Sequence, residues 1–431
     1  MPRDQVQVIG HCPASPAAVW AIAGDFCGHW HPGIAAIREE RDARGSLIRA
    51  FTVHGEDTLY REQLSWFSNS DRSLGYTHLE GIAGVERYDA RMTVSAGGGG
   101  GSVIEWTATV EAPDAARTAA VCAGTKPIFE AGIVALSEHA QRRGAATFQE
   151  GLPAPVATED FSFGEAPRLA LTVTPSKSGP LCLFLHGIGG ARWNWRPQLA
   201  ATGNVMRAAA LDLRGYGGST LGVDQSTVED YCADILRVRE TLGADRLALV
   251  GLSYGSWIAT SFAMRHPKLL AGLVLSGGCT GMSEAGPEER EAFRVSREVP
   301  LDAGQTPADF APAVVKVLAG PNASDEVRAQ LFDSMAAIPA QTYRDALVCF
   351  TNPPERFDFS RLTMPVLMMT GQHDRLASPA EIRGVAGRIL AQAPMADVRY
   401  ETIADAGHVC NVEQPEAYSR ILLDFLRKLP K

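Results

Sequence analysis

The segment Gly251-Leu252-Ser253-Tyr254-Gly255 sets a serine between two glycines. Before it, Arg246-Leu247-Ala248-Leu249-Val250 is a short apolar run bounded by polar residues, which predicts a buried strand. After it, Ser256 to His266 is rich in helix formers and is stopped by Pro267, which predicts a helix. Glycine suits a turn this tight, where bulky side chains on both flanks have no room. A serine there projects its hydroxyl above the carboxyl end of the strand, the placement of a nucleophile. The next amide, that of Tyr254, then lies near the positive end of a helix.

A serine hydroxyl is a poor nucleophile at neutral pH and needs a neighbouring base. Pro365 to Thr370 reads as a second buried strand and runs into Gly371-Gln372-His373-Asp374. A third strand, about Val398 to Ile403, leads into Asp405-Ala406-Gly407-His408. An imidazole such as that of His408 can take the serine proton and later protonate the leaving group. A carboxylate at Asp374 would hold the ring in the correct tautomer and stabilise the imidazolium. The order is thus serine, acid, histidine, each at the carboxyl end of a strand. His373 as base and Asp405 as acid are the weaker alternatives, since chain order makes His373 a loop residue. Ser256 reads as a satisfied helix hydroxyl and Cys410 as packing.

Two further motifs stand in register with these. His186-Gly187-Ile188-Gly189-Gly190 follows the strand Leu181 to Leu185, and Asp212-Leu213-Arg214-Gly215-Tyr216-Gly217-Gly218-Ser219 follows the strand Ala208 to Leu211. With all four motifs, the chain from about Phe161 to Lys431 resembles the α/β-hydrolase superfamily, on the side of esterases and enol-lactonases. The resemblance implies a catalytic triad of Ser253, Asp374 and His408. It assigns the oxyanion hole to the backbone N–H groups of Ile188 and Tyr254, each such donor worth roughly 3–4 kcal/mol of barrier. Members that open epoxides or cleave carbon–halogen bonds carry a carboxylate at the nucleophile position, so Ser253 points away from those reactions. His186 is expected to brace the oxyanion loop, and Asp212 and Arg214 to form an internal ion pair or turn hydrogen bonds below the site.

The resemblance also places a lid between the strand Leu273 to Ser276 and the strand at Pro365. The segments Pro287 to Val299, Pro307 to Ala319, Ser324 to Ala337 and Gln341 to Phe350 fit helices, broken by Pro300, Pro321 and Pro353-Pro354. Phe310, Phe332, Tyr343 and Phe350 are pocket candidates, with ordinary packing equally expected; Trp193 and Trp195 default to packing. No cluster of Arg or Lys in the motifs announces a clamp for carboxylate or phosphate, and any such clamp would have to come from the cap.

With 431 residues, the chain exceeds the size at which single cores stop growing. The boundary falls near residue 150, giving 1–145 as a first domain, 146–165 as a linker and 166–431 as the hydrolase, with its cap at about 280–360. Its net charge of −9, without an offsetting Lys/Arg run, disfavours nucleic acid as a partner. Met1 to Gln5 lacks the apolar core of a signal peptide, and no apolar run approaches the length of a membrane span. Eight cysteines without C-x-x-C spacing fit reduced thiols and a cytoplasmic location. No cofactor or metal is expected; His29 and His31 have H-x-H spacing but no third ligand.

The first domain reads as a strand at Val6 to His11, a helix opened by Ser15-Pro16, and strands near Leu47 to Val53, Leu59 to Phe67, Ser73 to Leu79, Ala90 to Ser95 and Val103 to Val110. Gly97 to Gly101 reads as a hairpin tip. A closing helix, about Ala115 to Gln141, shows an apolar row of Ala119, Cys122, Ile128, Ala131 and Ala135, interrupted near Pro127. This order, with Val19-Trp20 and Trp30-His31-Pro32-Gly33, resembles the START-like, polyketide-cyclase-like helix-grip fold. That family usually encloses an apolar cavity, so a hydrophobic ligand is implied, although Trp20, Phe26, Trp30, Trp66 and Trp106 are first expected to form the core.

The expected fold class is α/β plus α+β: a capped α/β-hydrolase preceded by a helix-grip antiparallel sheet. The expected function is serine hydrolysis of a carboxylic ester or lactone of a small, mainly apolar substrate, with oligomeric state undefined. The alternatives are carbon–carbon bond hydrolysis by the same three residues, or ligand binding by a protein with a vestigial hydrolase.

Overall fold

A computed structural model describes residues 1–143, 152–175, 177–354, 356–393 and 397–430. The chain divides into two compact units, Met1–Glu150 with Met395–Glu401, and Gly151–Pro394 with Thr402–Lys431.

The first unit contains β1 (Arg3–Cys12), α1 (Pro16–Ala23), β2 (Ile34–Arg41), β3 (Leu47–Val53), β4 (Tyr60–Ser68), β5 (Ser73–Glu80), β6 (Arg87–Ala96), β7 (Ser102–Glu111) and α2 (Ala115–Arg143). The strands form an antiparallel sheet in the order β1-β7-β6-β5-β4-β3-β2. Helix α2 packs against β1 and β7, the helix-grip arrangement. Ser15 caps α1, its hydroxyl accepting the Ala18 N–H at 3.3 Å, with Pro16 in the first turn. Gly97–Gly101 forms the tip between β6 and β7.

Three readings of this unit are corrected. Sequence reading missed β2, because only Ile34 is buried and the strand shows no apolar alternation. The buried residues of α2 are Thr118, Val121, Cys122, Thr125, Phe129, Gly132, Ile133, Ala135, Leu136 and Ala140. Cys122 and Ala135 of the expected row are among them, whereas Ala119, Ile128 and Ala131 are exposed, Ile128 at 53%. Pro127 does not interrupt α2, since Pro127 and Ala123, whose carbonyl loses its usual donor, both face solvent. Against the expectation that no apolar run approaches the length of a membrane span, helix α2 is long and apolar enough by composition to cross one; its inner face packs on its own sheet.

Trp20, Phe26, Trp30 and Trp106 lie in one buried cluster, with Trp106 stacked on Phe129 at 4.2 Å. Trp66 is buried apart from it and stacks on Tyr400 at 6.3 Å. His31 is held by backbone: Nδ1 accepts the Gly33 N–H at 3.1 Å, which leaves Nε2–H to donate to Ile128 O at 2.9 Å. Val398 and Arg399 pair in parallel with Trp66 and Phe67, and the Glu401 carboxylate accepts the Asn69 and Ser70 N–H groups at 2.8 and 2.9 Å.

The second unit contains β8 (Glu159–Phe163), β9 (Leu169–Val173), β10 (Leu181–Leu185), α3 (Arg196–Thr202), β11 (Ala208–Leu211), α4 (Val228–Thr241), β12 (Leu247–Leu252), α5 (Tyr254–Arg265), β13 (Leu270–Ser276), α6 (Pro287–Asp302), α7 (Pro307–Leu318), α8 (Asp325–Ala336), α9 (Ala340–Thr351), β14 (Val366–Gly371), α10 (Pro379–Gln392), α11 (Cys410–Glu413) and α12 (Pro415–Arg427); of β15 (Val398–Ile403), the residues up to Glu401 belong to the first unit and Thr402 and Ile403 to the second. Strands β14-β13-β12-β10-β11 are parallel, and β9 and β8 continue the sheet antiparallel. The winding reverses between β10 and β12, and open sheets of this kind bind ligands outside the carboxyl ends of strands at such a point. Strand β8 lies inside the span read as linker; it is a five-residue, mostly exposed edge strand whose only apolar residues are Phe161 and Phe163, and 144–151 lie outside the described residues. The four cap helices occupy the expected segments, except that α6 runs through Pro300. The carbonyl that loses its donor there belongs to exposed Ser296.

Candidate active site

Ser253 sits between β12 and α5 with φ 54° and ψ −115°, a backbone conformation costing roughly 1–3 kcal/mol for a non-glycine residue. Ser253 N–H donates to Ser276 O at 2.8 Å, which ties the turn to β13. A Cβ at Gly251 would stand 2.3 Å from Gly255 O, and one at Gly255 2.3 Å from Leu185 O. Glycine at both positions therefore lets β12 turn into α5 against the end of β10. Ser256 is satisfied within this frame, its hydroxyl 2.8 Å from Gly251 O and 3.0 Å from the donating Ser276 N.

His408 and Asp374 meet across the ends of β15 and β14. His408 Nδ1–H donates to Asp374 Oδ2 at 2.9 Å, and both side chains are buried. The other carboxylate oxygen accepts the Leu376 and Ala377 N–H groups at 2.8 and 2.9 Å. Burial disfavours the Asp374 charge, but the His408 partner and these two amides outweigh it and hold the carboxyl below its ordinary range. With Nδ1–H committed, Nε2 carries the imidazole lone pair.

Ser253 and His408 border the same cavity. A Cβ at Gly277 would lie 3.2 Å from His408 Cε1, and one at Gly278 3.6 Å from Ser253 Cα. Among the described residues no hydrogen bond joins the serine hydroxyl to the imidazole, and such pairs are commonly looser until substrate fills the site. The loop carrying His408 is anchored by Glu413, which sequence reading missed. Its carboxylate accepts the Gly407 N–H at 3.0 Å and the Gly320 N–H at 2.7 Å, and His408 N–H donates to Leu318 O at 2.8 Å. One of its partners, Gly407, is six residues away and the other, Gly320, 93 away, so the bridge between the two loops is not marked by any local pattern.

The loop after β10 brings Ile188 to the same cavity. Among the described residues, neither the Ile188 nor the Tyr254 amide has a hydrogen-bond acceptor. Unsatisfied backbone donors beside a cavity are unusual and suit a developing negative charge. His186 braces this loop: Nε2 accepts the Leu213 N–H at 3.1 Å, leaving Nδ1–H to donate to Gly187 O at 2.8 Å. Burial lowers its basicity, consistent with a neutral ring. Asp212 and Arg214 do not pair with each other. Asp212 is bound by Arg192 and by the Gly218 N–H at 2.9 Å, while Arg214 pairs with Asp234 at 2.8 Å and Asp230 at 3.3 Å.

The cavity has a volume of about 580 Å³ and is mainly apolar. Phe310, Tyr343, Phe350 and Trp195 line it; Phe332 faces outward at 37% exposure, and Trp193 donates to Ser334 Oγ at 3.1 Å. The competing residues lie elsewhere. His373 is part-exposed in its loop and absent from the cavity wall. Asp405 is exposed and bonded to Asn322 at 3.3 Å rather than to His408. Cys410 is buried, and burial pushes its thiol well above the ordinary range.

A family model described as alpha/beta hydrolase fold matches residues 180–415, and one described as polyketide cyclase / dehydrase and lipid transport matches residues 4–141. Epoxide hydrolase 3 of Xenopus tropicalis is 26% identical over 289 residues, covering 61% of this chain and 75% of that protein. Among solved structures, a thermophilic esterase from Thermogutta terrifontis is 25% identical with a TM-score of 0.55, covering 63% of this chain and 99% of its own. The enol-lactonase of Burkholderia xenovorans is also 25% identical, with a TM-score of 0.52 and coverages of 60% and 96%. A doubly wound sheet, a serine at a strained turn beside its switch point and a family model spanning more than half the sequence lead to one conclusion: the chain belongs to the α/β-hydrolase family.

Proposed function

We propose that Ser253, His408 and Asp374 form a catalytic triad that hydrolyses carboxylic esters or lactones through an acyl-enzyme. The observation that carries this is the His408–Asp374 hydrogen bond of 2.9 Å beside a cavity that Ser253 also borders. In the first step His408 Nε2 takes the Ser253 proton as Oγ attacks the carbonyl carbon. The oxyanion receives the Ile188 and Tyr254 N–H groups. Collapse breaks the ester C–O bond, and the imidazolium protonates the leaving alkoxide. Water then attacks the acyl-enzyme by the same route and releases the acid. Asp374, held ionised, stabilises the imidazolium without taking its proton. The esterase and enol-lactonase neighbours favour ester and lactone substrates. Serine at the nucleophile position separates this chain from epoxide-opening relatives. For the first unit we propose hydrophobic-ligand binding, on the strength of a family description that includes lipid transport; titration with a fluorescent fatty acid tests it.

The test is hydrolysis of a p-nitrophenyl ester series by wild type and Ser253→Ala, with products identified by mass. The expected result is chain-length-dependent turnover that falls by about 10⁴-fold or more in the folded variant. Turnover unaffected by the substitution, or none on any ester, would overturn the reading. An acid and a ketone from a β-diketone would instead assign carbon–carbon hydrolysis.

A further inference from the structure

Arg297, on the cap helix α6, is the one Arg or Lys among the described residues of the cavity wall. Its surroundings are apolar, with Phe293, Pro300 and Phe310 on the same wall. The acidic residues near it belong to other cations. Arg294 binds Glu291 at 2.7 Å and also Glu298, and Arg344 binds Asp302 at 2.8 Å. Arg297 itself reaches only its own helix: Nη1 donates to Phe293 O at 3.1 Å and to Ser296 Oγ at 3.1 Å, and Cζ lies 3.4 Å from the Phe293 ring centroid. Among the described residues no carboxylate pairs with it. Burial lowers its basicity and Tyr343 restores only part, so the charge is held without an anionic partner.

A guanidinium stays charged under these conditions and presents a planar fork of donors, most of them here without an acceptor. A half-buried cation without a counter-charge is unfavourable unless a ligand supplies one. The carboxylate on the wall, Glu381, has Asp374 and Glu284 as its electrostatic neighbours and not Arg297. One guanidinium matches the single charge and planar shape of a carboxylate; a phosphate dianion would call for more cations than the wall holds.

We infer that Arg297 binds a carboxylate carried by the substrate away from the scissile bond, so that the enzyme prefers half-esters of dicarboxylic acids or acidic lactones to neutral esters. This rests on the serine-hydrolase reading above.

The experiment compares kcat/KM for the p-nitrophenyl monoesters of succinate, glutarate and adipate with neutral esters of matched length, in wild type, Arg297→Met and Arg297→Lys. Binding of glutarate to the folded Ser253→Ala protein, with and without Arg297→Met, is measured by calorimetry. Wild type should favour at least one anionic ester. The anionic-to-neutral ratio should fall about tenfold or more in Arg297→Met, chiefly through KM, with partial recovery in Arg297→Lys. Glutarate affinity should fall in parallel. A ratio unchanged within about twofold, with glutarate bound equally by both proteins or by neither, overturns the inference while leaving the hydrolase reading intact. Absence of any Ser253-dependent turnover sinks the hydrolase reading, and the calorimetry still decides whether Arg297 binds carboxylate.

Discussion

Asp374 acts through a single hydrogen bond, and its replacement separates orientation from charge. In Asp374→Asn the amide can offer its NH₂ to His408 Nδ1, which moves the ring proton to Nε2 and removes the base. A loss of about 10⁴-fold in kcat is expected, with KM little changed, by steady-state kinetics on a neutral ester. Glu413→Gln keeps one acceptor oxygen for two amides, so about 1–3 kcal/mol of stability should be lost in a urea titration, together with part of kcat. Ser253, Asp374 and His408 were legible because each follows an apolar run that ends at the same edge of the sheet. Arg297 and Glu413 were not. The meaning of Arg297 lies in the missing carboxylate, and that of Glu413 in a contact with Gly320 that the fold alone supplies.

At the level of elements, most buried strands and the amphipathic cap helices could be read directly, whereas β2, β8 and β9 could not. The first two are largely exposed, so burial selects few apolar residues in them, and β9 is only five residues long and follows a Gly/Pro-rich stretch. Helix α2 is the subtler failure. Small apolar residues occur all around it, and periodicity could not choose between adjacent rows. The two assignments separate experimentally. Phe129→Ala, which removes the ring stacked on Trp106, should cost about 3–5 kcal/mol of first-unit stability. Ile128→Ala, at an exposed position, should stay within about 0.5 kcal/mol in the same chemical denaturation.

For the whole molecule, the return of Met395–Glu401 to the first unit was not legible in the sequence. Nothing in a short strand announces which sheet it will join. Glu401 gives that return a pH signature. Burial, with a contribution from Asp71, raises its carboxyl to about 7 against the opposing effect of the Asn69 and Ser70 amides and Arg399. A folded pKa above the unfolded one means that the native state holds the proton more tightly. Its stabilising contribution is complete below about pH 4.5 and is lost as pH rises through about 7. Between pH 5 and 8 the urea midpoint should drop more for wild type than for Glu401→Gln, and equal slopes would refute the linkage.

That same return has a consequence for biosynthesis. Glu401 leaves the ribosome about 250 residues after Glu150, an interval of roughly 10–50 s at ordinary elongation rates. Until then the nascent amino-terminal unit carries an open strand edge at Trp66 and Phe67, the kind of edge that strands from other molecules pair with. A fragment ending near residue 150 would keep that edge permanently, so light scattering should record self-association by the fragment and not by the full chain.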